Sequence, residues 1–82
     1  MVVEEKEIRD VMAQVWGINV KDIPQDVKFN DFSYWDSLGH VNLILGLEKK
    51  FKIEVSYETL IGLTSLQRIK DYIVSRIREE IV

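Results

Sequence analysis

The chain has 82 residues, 46% apolar and 30% charged, with a net charge of −3. That length and mixture give one globular domain, 1–82, too small for an active-site cleft between domains. The mild acidity speaks against nucleic acid and anionic membrane surfaces. The absence of cysteine excludes disulfides and thiolate chemistry, and a single histidine, His40, excludes a multi-histidine metal site.

Charge begins at Glu4, so the N-terminus is not expected to be a secretory signal. No apolar run nears the roughly 18 residues of a membrane span, so no membrane insertion is expected and the cytoplasm is the expected location. Ile8, Val11, Met12, Val15 and Trp16 fall at helical spacing. Glu4, Glu5, Glu7 and Asp10 suit the start of that helix, and Gly17 suits its end.

Residues 18 to 36 show no sustained period. Ile18, Val20, Ile23, Val27, Phe29, Phe32 and Trp35 recur through them, which predicts a loop pinned to the core, with turns at Pro24 and Asn30-Asp31.

Helical spacing returns over 37–51. Leu43, Ile44, Leu47 and Phe51 share one side, and Leu38, Val41 and Leu45 form a second arc. The apolar surface is wider than one core stripe needs, so the extra arc meets either another helix or a partner protein. Gly39, His40, Asn42 and Gly46 read as the polar side, with His40 solvated or half-buried. The two glycines each weaken the helix by about 1 kcal/mol relative to alanine, which suits a helix that opens for a cargo or one packed closely on a neighbour.

Ile53 to Ser56 alternates like a strand but has no partner strand, so it reads as extended loop. Residues 57 to 62 predict a short helical turn. Thr64 and Gln67 predict a capping box for a last helix with Leu66, Ile69, Tyr72, Ile73 and Ile77 inward. The expected fold is all-α: three main helices, one short helical turn and a long first loop.

Little here suggests catalysis. Ser37 and His40 are three residues apart but have no third group or cleft, as a Ser–His nucleophile would need. Glu4/Glu5 and Glu79/Glu80 read as solvated charge runs. The glycines are scattered rather than gathered in a phosphate-binding loop. The informative tract is Trp35 to Val41. Asp36 or Ser37 caps the central helix. Ser37 lies where backbone amides and the helix dipole favour an attached anion, with Asp36 as an opposing charge.

Asp36-Ser37-Leu38, followed by Val41, Leu43-Ile44, Leu47-Glu48 and Phe51, resembles the central helix of acyl carrier proteins. Ile53-Glu54-Val55, Thr64 to Gln67 and Asp71-Tyr72-Ile73 continue the resemblance over nearly the whole chain. It implies a carrier, not an enzyme. Ser37 would be esterified with 4′-phosphopantetheine from coenzyme A by a phosphopantetheinyl transferase. The arm's thiol would hold an acyl or aminoacyl thioester. The implied partners are that transferase, an acyl- or aminoacyl-activating ligase, and an acyltransferase or synthase, recognising a monomer through Asp36, Leu38, Val41, Leu45 and Glu48.

Carriers of fatty-acid synthesis resemble one another in an acidic central helix. Residues 37 to 52 here hold one acid, Glu48, against Lys49, Lys50 and Lys52, and Trp35 precedes Asp36 where that type commonly has glycine. These departures look more like a specialised carrier, such as a D-alanyl type or one for polysaccharide or secondary-metabolite acylation. Leu43, Leu47, Val55, Leu60, Leu63 and Ile69 line either a cargo pocket or a filled interior. The other reading of the same helices is a small interaction domain of the death-domain or sterile-alpha-motif kind, with no prosthetic group.

Overall fold

The computed structural model describes residues 3–81, with side chains through residue 77. The α1 helix spans Glu5–Trp16 and follows Glu4, whose amide donates to the Glu7 carboxylate at 3.4 Å. Gly17, at φ 69°, ends it in the left-handed conformation that glycine adopts without strain. The α2 helix spans Ser37–Phe51, α3 spans Tyr57–Gly62 and α4 spans Leu66–Ile81. Among the described residues the regular structure is helical, as the spacing of apolar residues predicts. Ile53 to Ser56 is extended and unpaired, as predicted. Glu79 and Glu80 lie outside the residues whose side chains are described, and Met1 outside the described chain.

The core gathers Ile8, Val11 and Met12 from α1, Leu43, Ile44 and Leu47 from α2, and Leu66, Ile69 and Ile73 from α4. Burying such side chains gives about 1.5–3 kcal/mol each. Trp16 at the end of α1 reaches Gly39, while Val11 and Val15 face Gly46, so α1 and α2 run antiparallel.

The long loop is pinned from several sides. Ile23, Val27 and Trp35 are buried within it, and Arg9 of α1 donates to the carbonyl oxygens of Ile23 and Pro24. The Phe29 amide donates to the Thr64 carbonyl at 3.0 Å, beside an isolated bridge between Lys28 and Ser65. Asn30 turns the chain at φ 69°, a conformation asparagine tolerates, and its amide donates to the Trp35 carbonyl. Val20 does not join the core. It opens a single 3-10 turn, Val20–Asp22, and is exposed.

Two further expectations need correcting. The last helix is capped by Ser65, whose Oγ accepts from the Arg68 amide at 3.2 Å, rather than by a Thr64–Gln67 box. Thr64 is held outside the helix by its bond to Phe29, and Gln67 instead donates to Asp71 one turn on. The face of α2 read as polar is also partly interior. Gly39 and His40 are buried and Gly46 is half-buried, because α2 packs against α1, the loop and α3 at once.

Candidate functional site

The loop becomes α2 at Asp36, an extended residue whose Oδ1 accepts from the Gly39 amide at 2.8 Å, while its carbonyl accepts from the His40 amide. Asp36 is therefore the cap, and Ser37 is the first helical residue. Ser37 is exposed. Among the described residues its hydroxyl has no hydrogen-bond partner, and neither its own amide nor that of Leu38 has a backbone acceptor. A phosphoryl substituent on Ser37 Oγ fits this place: it has open space, two unused amide donors and the positive end of α2.

A brace of aromatic side chains holds this helix start. The Trp16 indole N–H donates to the Gly39 carbonyl at 3.1 Å. Trp16 packs on Phe32 and Trp35, with ring centroids 5.9 and 5.7 Å apart. A Cβ on Gly39 would collide with the Tyr34 carbonyl oxygen, so only glycine lets the loop lie this close to α2. On Gly46 a Cβ would stand 2.9 Å from Val11 and Val15 methyls. Both glycines thus serve close packing.

His40 is buried, at 4% exposure, contrary to the solvated or half-buried state expected from sequence. Its Nδ1 accepts from the Trp35 indole N–H at 2.9 Å, so the ring proton resides on Nε2, which donates to the Leu60 carbonyl at 2.7 Å. Phe29 meets the ring edge-on. Sequence reasoning missed this pairing. A signal for it existed: a tryptophan in a pinned loop needs an acceptor for its indole N–H when buried, and His40 is five residues away.

Leu38, Val41 and Leu45 are 71%, 41% and 52% exposed, so the second apolar arc faces outward along α2 beside Ser37. Ile61 of α3 and Tyr34 of the loop are exposed as well. Glu48 does not stand free beside that arc. It is half-buried, and its Oε2 accepts from the Val55 amide at 2.9 Å. Leu43, Leu47, Leu63 and Ile69 are buried, while Val55 and Leu60 pack half-buried against them. Among the described residues no cluster of three or more side chains could hold a metal ion, and no helix is long and apolar enough to cross a membrane.

The family model for the phosphopantetheine attachment site matches residues 6–73, which include the brace, Ser37 and the apolar arc. The chain is 36% identical over 69 residues to an acyl carrier protein of Buchnera aphidicola subsp. Schizaphis graminum, covering 84% of this chain and 87% of that protein. It is 31% identical over 72 residues to an acyl carrier protein of Chlorobium phaeobacteroides, covering 88% of this chain and 92% of the relative. These matches do not favour an interaction domain without a prosthetic group. The chain belongs to the acyl carrier protein family, as a carrier with a covalently attached 4′-phosphopantetheine.

Proposed function

We propose that Ser37 is the attachment residue. We further propose that the chain is a single, monomeric, non-catalytic carrier domain over residues 1–82, acting in the cytoplasm, of a specialised acyl or aminoacyl type rather than the fatty-acid-synthesis type. The observation that carries the attachment reading is the exposed, unbonded Ser37 hydroxyl at the Asp36-capped start of α2. The radius of gyration, 12.0 Å, supports one domain, since a packed chain of this length gives about 12 Å. The basic end of α2, with Lys49, Lys50 and Lys52, and Trp35 at the position before Asp36 support the specialised type.

In the modification, Ser37 Oγ forms a bond to the phosphorus of the phosphopantetheine moiety of coenzyme A. The bond from that phosphorus to the adenosine bisphosphate breaks, and the hydroxyl proton passes to a base of the transferase. The attached group supplies the thiol that a chain without cysteine lacks, and a thioester on it is presented at high effective concentration. Asp36 holds the helix start and offers the transferase a charge. Leu38, Val41 and Leu45 offer an apolar surface to the activating ligase and to the acyltransferase or synthase, with Glu48 and the lysines setting orientation.

Incubation with coenzyme A and a broad-specificity transferase is expected to add one phosphopantetheinyl mass. Ser37→Ala, a surface change, is expected to stay folded and gain none. Modification persisting in that variant overturns the assignment.

A further inference from the structure

The side of α2 toward α1 carries a surface of its own. An open groove runs there between the two helices, with Val11, Val15 and Gly46 as its floor and Leu45, Lys49 and Lys50 along its α2 edge. Gly46 makes that floor possible: having no Cβ, it lets the Val11 and Val15 methyls close beneath the groove. Asn42 and Gly46 on α2 repeat the four-residue step of Val11 and Val15 on α1. From Asn42 to Lys50 the groove follows about 12 Å of helix axis, a little over two turns. Two rows of that step suit the side-chain ridge of a third, short helix.

The groove is basic although the chain as a whole carries −3. Lys49 and Lys50 are exposed, and among the described residues neither ammonium group meets a carboxylate. Glu48 does not neutralise them, because its carboxylate is taken up by the Val55 amide, and neither Glu48 nor Val55 lines the groove. Gln14 and Asn42 are neutral, so among the described residues Asp10 is the one acid lining it, against two bases. An apolar floor beside unpaired ammonium groups calls for a ligand that is apolar on one side and acidic on the next.

Resting on the carrier reading, we propose that the α1–α2 groove is a second docking site, which takes a short amphipathic helix of a partner enzyme, with apolar side chains over Gly46 and acidic ones beside Lys49 and Lys50. Leu45 belongs both to the outward arc and to the groove, so an enzyme seated on the arc reaches the groove without crossing Ser37. The floor holds such a helix, and the lysines select its charge, since an exposed ion pair is worth up to about five-fold in affinity. The groove does not touch the reacting thioester.

The test titrates two synthetic helical peptides into the unmodified, nitrogen-15-labelled full chain and follows its amide signals by nuclear magnetic resonance. Each peptide has about 18 residues, long enough for an alanine-rich sequence to be helical alone. They share one leucine stripe and differ only in carrying glutamates or lysines beside it. The glutamate peptide is expected to move the signals of Val11, Val15, Asn42 and Gly46 most. It is expected to bind about five-fold or more tighter than the lysine peptide, although net charge alone favours the reverse order. Replacing both groove lysines, Lys49→Glu with Lys50→Glu, is expected to invert that preference with unchanged melting, since both positions are exposed. Lys52→Glu alters the same basic run outside the groove and is expected to change the glutamate peptide's Kd by less than about two-fold. Equal or tighter binding of the lysine peptide overturns the inference, as do shifts confined to other residues. An effect of Lys52→Glu as large as that of Lys49→Glu alone also overturns it, because the attraction then belongs to overall charge. The titration uses no attached arm. Failure of phosphopantetheine attachment to Ser37 therefore overturns the carrier reading and leaves the result on the groove standing.

Discussion

Trp16, the last residue of α1, donates its indole N–H to the carbonyl oxygen of Gly39 in the first turn of α2, at 3.1 Å. The end of one helix thereby fixes the start of the next, two residues beyond Ser37. The contact exists because position 39 has no side chain: the Trp16 nitrogen, the Tyr34 carbonyl and Asp36 Oδ1 crowd the space a Cβ would take.

The two glycines of α2 are accordingly expected to respond differently to alanine. Gly39→Ala forces backbone apart and is expected to destabilise by about 1–3 kcal/mol, lowering the melting temperature by about 4–8 °C for each kcal/mol. Gly46→Ala meets only the Val11 and Val15 methyls at 2.9 Å. The helix-propensity gain of about 1 kcal/mol largely offsets that crowding. Thermal melts of the two variants decide the matter, and an equal loss at both positions contradicts it.

Asp36→Asn keeps an oxygen that can accept from the Gly39 amide and removes the charge. Near-normal melting with a slowed transferase reaction is the expected result. An unchanged modification rate means that Asp36 acts as a cap alone.

Docking of the loading enzyme is expected to rest on apolar contact. Val41 and Leu45 are exposed on the Ser37 side of α2, whereas the Glu48 carboxylate is engaged with the Val55 amide. Truncating a side chain at the centre of an interface costs about 2 kcal/mol or more, and rim charges cost less. Val41→Ala and Leu45→Ala should therefore slow loading more than Glu48→Gln, with unchanged circular dichroism.

Salt separates the same two modes of contact. Raising it from about 0.05 to about 0.5 M shortens the Debye length several-fold. Loading by the activating enzyme is expected to change only modestly over that range. A collapse would make the contact electrostatic and return Lys49, Lys50 and Glu48 to its centre.

The helices were legible in the sequence because large apolar side chains mark their own spacing. Ile8 to Trp16, Leu43 to Phe51 and Leu66 to Ile77 all lie within helices, and Gly17 stops α1 as expected. The second arc at Leu38, Val41 and Leu45 was legible for the same reason, but that it faces outward rather than meeting another helix comes from the structure. What escaped was the second contact face of α2. Glycine and histidine carry little hydropathy, so Gly39, His40 and Gly46 fall on the polar side of the pattern; close packing, one of the two readings of the glycines, holds, whereas the burial of His40 against the Trp35 indole had no hydropathy signal. The Ser65 cap escaped too, because the bond that holds Thr64 outside α4 comes from Phe29, far away in sequence.

The groups that hold the start of α2 are the Trp16 and Trp35 indoles, the Asp36 carboxylate, the Gly39 backbone and the His40 ring. None of them belongs to Ser37, Leu38, Val41 or Leu45. The apolar surface proposed for the partner ligase and the scaffold that supports it are thus written in different residues of the same short tract, and Asp36 alone is proposed to serve both. A carrier built this way can be retargeted to a new ligase by exchanging the outward side chains, and its melting temperature becomes the control that shows the exchange was confined to recognition.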